Sequence, residues 1–154
     1  MTQGLLPAFA IGFVGGLRSM TAPALVAWAA HLGWLPLDGT PLSFMSSSIA
    51  VGVFSLLALG EFVADVLPNT PPRTSPLGLV VRAITGGLCG ACLSAAHGEG
   101  LALGMVVGIA GAMAGAYTGF YARRGLVNGL KVRDIGIALP EDIVAVGLGL
   151  LIVR

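Results

Sequence analysis

Charged residues are scarce in this chain. Eight Lys and Arg and seven Asp and Glu are distributed over 154 residues, so only 10% of the chain is charged. A soluble domain usually has roughly 25% charged residues. Lipid-facing surface must instead be apolar, and 56% of this sequence is hydrophobic. The composition therefore predicts an integral membrane protein and excludes an ordinary soluble domain.

Other signals are missing as well. The net charge of +1 gives no basic surface for nucleic acid, and two cysteines cannot build a secreted disulfide framework. We find no phosphate-binding loop, dinucleotide fingerprint or nucleophile–base set, so we predict neither an enzyme nor a cofactor. No basic segment precedes Leu5, and Arg18 interrupts the first apolar run, which is unlike a cleaved signal peptide.

Long apolar runs are what the sequence does contain. A helix needs about 20 residues to cross the hydrocarbon core. Five segments approach or exceed this length, at about residues 5–30, 46–67, 77–96, 100–122 and 135–153. The sequence thus predicts one all-α transmembrane domain over residues 1–154, a polytopic bundle of about five helices. Residues 125–136 are polar and glycine-rich and are predicted to form a loop or a short interfacial helix.

Basic residues fix the expected orientation, because cytoplasmic loops are enriched in Lys and Arg. The second–third and fourth–fifth connections hold all of the basic loop residues: Arg73, Arg123, Arg124, Lys131 and Arg133. We expect a bacterial inner-membrane protein with a cytoplasmic N-terminus and an external C-terminus. Aromatic residues at the ends of apolar runs, such as Trp28, Trp34 and Tyr121, suit the two membrane interfaces.

Arg18 is the most informative residue, since it lies near the middle of the first predicted span. An arginine at that depth costs roughly 2.5–3.5 kcal/mol and normally faces the bundle with a partner. Gly15 and Gly16 precede it, and Ser19, Thr21 and Pro23 follow it. Such a segment favours a kinked or broken helix, as in many transporter sites. The other interpretation is a structural ion pair that fixes helix register.

Four acidic residues accompany the apolar runs. Glu61 and Asp65 are four positions apart and share a helix face, while Glu141 and Asp142 follow Pro140 in the first turns of the last span. Asp65 suits a position at the cytoplasmic interface, and we expect the second pair to be partly buried with a basic partner. Glu141 and Asp142 also suit the positive end of a helix.

Arg82 lies near the start of the third span and is predicted to snorkel or to pair with Glu61, Asp65 or Glu141. Arg18 and Arg82 give two positive charges against four acids. Protons, a bound cation or Arg73 would neutralise the difference. This charge balance favours a proton or cation role, without identifying a metal.

Small residues have two further patterns. Five glycines at three- and four-residue spacing predict a glycine zipper in the fourth span, used within one subunit or in a homodimer: Gly104, Gly108, Gly111, Gly115 and Gly119. Cys89 and Cys92 match the C-x-x-C pattern of thiol oxidoreductases, but they lie in a Gly/Ala-rich helix. We interpret these cysteines as small packing residues, with redox activity as the alternative.

Three segments resemble a small bacterial membrane-protein family known only as a domain of unknown function. They are Gly-Leu-Arg-Ser-Met-Thr at residues 16–21, the Glu-x-x-x-Asp-x-x-Pro pattern at residues 61–68, and Ala-Leu-Pro-Glu-Asp at residues 138–142. Val66 stands where that family often has Lys. The resemblance implies a compact helical membrane fold and supplies no substrate.

Our functional hypothesis is a small channel or secondary transporter for an ion or small polar solute. Its path would be lined by Arg18, Ser19, Thr21, Glu61, Asp65, Arg82, Glu141 and Asp142. Membrane lipids and a second copy of the chain are the expected partners. The alternatives are a membrane scaffold or lipid-interacting protein with structural ion pairs, and a membrane thiol oxidoreductase using Cys89 and Cys92.

Overall fold

The chain folds into helices alone over the residues that a computed structural model describes, which are 3–66, 75–130 and 134–154. These residues contain a short 3-10 turn, Ser43–Ser46, and no strand. The α-helices are α1 (Leu5–Leu17), α2 (Thr21–His31), α3 (Ser48–Val66), α4 (Pro76–Ala96), α5 (Leu101–Leu130) and α6 (Asp134–Val153). The prediction of an all-α fold is confirmed.

The first predicted span is broken into α1 and α2. Arg18 has an extended backbone, with φ −141° and ψ 108°, although its N–H group still donates to the Val14 carbonyl at 2.8 Å. The helix resumes at Thr21, and Pro23 falls in the first turn of α2. Proline is tolerated there because the first N–H groups of a helix have no intrahelical partner. The break lies within the segment where the sequence favoured a kink.

The fourth predicted span is longer in the structure than in the sequence analysis. We predicted its end near Ala122 and a separate loop or short helix over residues 125–136, but α5 continues unbroken to Leu130. Asp134 then begins α6. The prediction of a separate element was therefore wrong for the described part of that segment. Arg123 and Arg124 interrupt an apolar run without interrupting backbone hydrogen bonding.

Helices α1, α4 and α5 form a glycine-packed core and make the most extensive contacts in the molecule. A methyl group added to Gly12 of α1 would overlap the Gly108 carbonyl oxygen of α5. The same residue of α5 meets α4, since a methyl group at Gly90 of α4 would lie 2.7 Å from the Gly108 α-carbon. Backbones therefore meet directly at both interfaces, which only glycine permits.

Helices α2, α3 and α6 form the cavity side of the molecule. A segment that includes the 3-10 turn joins α2 to α3, and the His31 ring lies 2.9 Å from the Ser46 carbonyl oxygen. Helix α3 packs chiefly on α2 and on the 3-10 turn. Much of its surface is therefore open, and Ile49 and Leu56 are exposed apolar side chains on it.

Two of the helices are long and apolar enough to cross a membrane by length and composition, Pro76–Ala96 and Leu101–Gly129. Leu5–Leu17 and Ser48–Ala64 are shorter apolar helices. These results hold for the described residues alone. The predictions for the Asp65 side chain, Arg73, Lys131 and Arg133 concern positions outside the described residues.

Candidate functional site at the helix break

Glu61 of α3 holds the N-terminal end of α2. Its Oε1 accepts hydrogen bonds from the Ser19 N–H at 2.9 Å and the Ser19 hydroxyl at 2.6 Å, and its Oε2 accepts from the Met20 N–H at 2.9 Å. The first N–H groups of a helix have no intrahelical partners, and the helix dipole places partial positive charge there. The carboxylate therefore replaces a local capping residue, because α2 has no side-chain cap of its own.

Arg82 of α4 holds the opposite end of the break. Its Nε donates to the Gly16 carbonyl at 3.0 Å, close to the C-terminal end of α1, and one terminal nitrogen donates to the Gly78 carbonyl at 3.2 Å. Carbonyls at a helix C-terminus carry partial negative charge, which a guanidinium stabilises. Arg82 is buried, being 8% exposed, so these bonds form away from bulk solvent.

Arg18 lies between these two ends and forms an ion pair with Asp142 of α6. The arginine is 3% exposed, and the Asp142 side chain is 12% exposed. The guanidinium carbon also lies 5.5 Å from the centre of the Phe62 ring, a distance suited to a cation–π contact. Burying an ion pair costs desolvation energy, and breaking it strands a charge. The pair thus joins α6 to the break.

A cavity of about 380 Å³ adjoins the ion pair and is lined by residues of α2, α3 and α6. Arg18, Asp142 and Thr21 provide its polar end. Most of the wall is apolar, and Leu25 and Val146 belong to it. A concave, mainly apolar site with a few convergent polar groups is the usual form of a small-molecule site.

The far part of the cavity contains residues that our sequence analysis did not assign to the site. Trp28 and Ser55 line it, and the Trp28 indole N–H donates to the Ser55 hydroxyl at 3.0 Å. Phe62, another lining residue that was not predicted, lies at the other end beside Arg18. Trp28 is 46% exposed, so the cavity is open beside it. The sequence shows Trp28 in the first predicted span and Ser55 in the second. It does not give the register between those spans, so their contact could not be predicted.

The structure therefore brings together five predicted site residues at the break, with Thr21 beside them: Arg18, Ser19, Glu61, Arg82 and Asp142. Glu141, the neighbour of Asp142, is half-buried and does not line the cavity. We expected a basic partner for the Glu141–Asp142 pair, and Arg18 forms an ion pair with Asp142. The partial charges of helix ends help to compensate the charges of Glu61 and Arg82. The count of charged side chains in the sequence did not include these partial charges.

The glycines of α5 contact α1 and α4 of the same subunit. A methyl group at Gly104 would meet the Gly90 carbonyl oxygen at 2.6 Å, and Gly108 lies against α4 at Gly86. Methyl groups at Gly111 and Gly115 would overlap α1 at the Phe9 and Phe13 carbonyl oxygens. Gly119 is buried further along α5. These glycines are occupied within the subunit, so they give no free face for a second copy.

Cys89 and Cys92 are both free thiols, and both are 0% exposed. They lie one helical turn apart within α4 and pack in the apolar interior. No group of three or more His, Cys, Asp and Glu side chains suited to a metal ion occurs among the described residues. Both cysteines therefore contribute to packing in the interior of the described structure.

A second carboxylate lies at a helix N-terminus, at the far end of α1. Glu99, in the short connection between α4 and α5, accepts a hydrogen bond from the Gly4 N–H at 3.3 Å through Oε1. Gly98 allows this connection to turn sharply, because its φ of +73° suits glycine. The N-terminus of each half of the broken first span therefore meets an acid from another part of the chain, Glu99 at α1 and Glu61 at α2.

Comparison with known proteins gives one match. No curated protein and no solved structure matches the chain. One family model, described as a domain of unknown function (DUF4126), matches residues 5–154. That range contains the helix break and all of the charged residues that contact it. The resemblance noted from the sequence is confirmed, and the chain belongs to the DUF4126 family.

Proposed function

We propose that this protein is a small channel or secondary transporter of the bacterial inner membrane, and that an ion or small polar solute passes beside the helix break. One observation carries the proposal. A broken helix with a buried arginine adjoins a cavity of about 380 Å³ in an otherwise apolar chain. Transporters commonly bind their substrates at discontinuous helices, where backbone groups and ionisable side chains converge.

The proposal includes five membrane crossings, and α4 and α5 are long and apolar enough to cross by length and composition. Helices α1 and α2 together form one broken crossing, and α3, α4, α5 and α6 form the others. Helix α5, with 30 residues, is about 45 Å long at 1.5 Å per residue, longer than a hydrocarbon core of about 30 Å. Its C-terminal end, which holds Arg123 and Arg124, would project into the cytoplasm. The N-terminus would also be cytoplasmic and the C-terminus external.

The break would then lie near the membrane midplane, since α1 has 13 residues and α2 has 11. Lipids would cover the exposed apolar faces of α3 and α6. A homodimer stays a prediction, and it needs a face other than the glycines of α5.

Flux measurements in proteoliposomes test the transport proposal. We expect Arg18→Ala and Glu61→Gln to reduce flux, because the first removes the charge at the cavity and the second releases the start of α2. Glu99→Gln is the matched control, since it neutralises a carboxylate that caps a helix at the far end of α1. Equal flux in all of these proteins, or no flux for any ion or solute tried, would contradict transport.

A second candidate is a non-transporting scaffold or lipid-interacting protein. It is favoured by the number of protein groups that already contact Glu61, which accepts three hydrogen bonds from the break. In that case Arg18→Ala would lower thermal stability in detergent, and no ligand would change the stability of the wild type. The thiol oxidoreductase alternative conflicts with the complete burial of both sulfurs. A redox phenotype lost on replacing Cys89 and Cys92 with Ser would restore it.

A further inference from the structure

We infer that the cavity beside the helix break binds a zwitterion of zero net charge, with an ammonium group and an acid group carried close together on an apolar body. This inference rests on the proposed function, since it names the class of solute bound at the same site. The free amino acids with apolar side chains have this chemistry, and so does the head group of phosphatidylethanolamine.

The charge of the site is the first argument. Arg18 and Asp142 both line the cavity and form an ion pair, so the polar end presents one positive and one negative group side by side. A ligand with a single charge would add an uncompensated charge at a buried position, which is costly. A zwitterion avoids this cost, because its acid group can lie against Arg18 while its ammonium group lies against Asp142.

Glu61 and Arg82 do not change this balance at the cavity. Neither residue lines it. Glu61 is directed to the N–H groups at the start of α2, and Arg82 is directed to the carbonyls of Gly16 and Gly78. Among the described residues, the pair of opposite charges is therefore the ionic feature that a ligand in the cavity meets.

The cavity wall is the second argument. Leu25 of α2, Leu59 of α3 and Val146 of α6 form an apolar surface beyond the ion pair. The volume of about 380 Å³ lies in the small-molecule range of about 300–1,000 Å³. An inorganic ion or a small hydrophilic solute would leave this wall without contacts. An apolar body attached to the zwitterion would bury it, which the hydrophobic effect favours.

Trp28 provides the means of testing the inference. It lines the cavity, whereas Trp34, the other tryptophan, does not. In the purified full chain carrying Trp34→Phe, the fluorescence of Trp28 reports on occupancy. The probes are L-leucine and two relatives with the same branched body, isocaproate with the acid alone and isoamylamine with the amine alone. A second arm compares nanodiscs containing phosphatidylethanolamine with nanodiscs containing phosphatidylglycerol.

We expect L-leucine to bind at least about tenfold more tightly than either relative, if the source is a free amino acid. If the source is a lipid, phosphatidylethanolamine changes the fluorescence, and L-leucine and phosphatidylglycerol do not. Either result supports the inference. Equal binding of the three soluble probes, or no response to L-leucine and to phosphatidylethanolamine alike, overturns it.

Charge variants make the test sharper. Asp142→Asn leaves the positive charge and should turn the preference toward isocaproate, whereas Arg18→Gln should turn it toward isoamylamine. If the single variants do not fold, the double variant Arg18→Gln with Asp142→Asn keeps the net charge and should weaken zwitterion binding about tenfold or more. Unchanged binding in the double variant contradicts the inference. Binding without flux contradicts transport alone, and flux of other solutes without zwitterion binding contradicts this inference alone.

Discussion

The glycine-packed core and the cavity side are stabilised by different kinds of contact. In the core, α5 touches α1 and α4 through backbone atoms at Gly12, Gly90 and Gly108. On the cavity side, the contacts are side-chain hydrogen bonds and an ion pair, and Glu61 and Asp142 supply them. Close backbone packing tolerates almost no displacement, whereas polar contacts of this kind can be exchanged for contacts with a ligand or with another backbone group.

This difference suggests which part of the molecule moves. Under the proposed function, α1, α4 and α5 would act as a fixed body, and α3 would shift against them when the cavity fills or empties. Helix α3 fits this role well, because it packs chiefly on α2 and the 3-10 turn. Helix α6 packs on α1, and α2 packs on α4 as well as on α3, so both are more firmly attached to the core.

Removing one member of the ion pair should have the largest effect on stability. Arg18→Ala removes the cation that pairs with the Asp142 carboxylate, and breaking a buried pair costs about 3–5 kcal/mol. The double variant Arg18→Ala with Asp142→Ala should recover much of this loss, because no charge is then stranded. Thermal unfolding in detergent gives both values. A double variant as unstable as the sum of the two single variants would show that the pair is not coupled.

Enlarging a core glycine should be the next largest change. Gly12→Val places a side chain against the Gly108 carbonyl oxygen, and overpacking of this kind costs about 1–3 kcal/mol or more. Gly52→Ala in α3 is the control, since nothing lies within 4 Å of a methyl group there. Alanine at Gly52 should raise the melting temperature slightly, by removing the helix cost of glycine. Similar destabilisation by both substitutions would show that Gly12 is no more closely packed than Gly52.

Neutralising Glu61 should cost less than removing Arg18 but more than neutralising Glu99, the other carboxylate at a helix N-terminus. Glu61→Gln supplies one acceptor oxygen in place of two, so a buried donor at Ser19 or Met20 loses its bond, at about 1–3 kcal/mol. Glu99→Gln affects a single long bond to Gly4, so we expect about 0.3–1 kcal/mol there. Denaturation of the two variants side by side measures the difference. The reverse order would mean that α2 does not depend on Glu61.

Among the residues that line the cavity, the smallest expected effect is at its outer edge. Ser55→Ala removes the acceptor of the Trp28 indole and should cost about 0.5–1.5 kcal/mol. The same variant should shift the Trp28 emission, which fluorescence of the Trp34→Phe protein would record. An unchanged emission spectrum would show that the indole does not depend on this bond.

Much of the site was predictable because charge is costly in an apolar chain. Arg18, Glu61 and Asp142 stand out in the sequence for that reason, and the glycines before Arg18 indicated the break. The pairing was not predictable. Whether Arg18 contacts Glu61 or Asp142 depends on how α3 and α6 pack around α1, and no local pattern encodes that arrangement.

Two features of the fold were also only partly predictable from the sequence. Spacing identified the glycines of α5, but their partners on α1 and α4, among them Gly12 and Gly90, were not recognised. The end of α5 was also misplaced. Arg123 and Arg124 end an apolar run, yet a helix ends only where its backbone hydrogen bonds end, and both residues are good helix formers.

The ion pair also bears on how the molecule is assembled. Arg18 belongs to the first segment of the chain to be synthesised, and Asp142 belongs to the last helix. Glu61 and Arg82, which hold the two ends of the break, are made in between. In the membrane topology proposed above, the first segment would enter the membrane before the side chains that stabilise it exist. We expect its stable insertion to wait for α6, so that a nascent chain still lacking Asp142 depends on the insertion machinery to shelter its arginine.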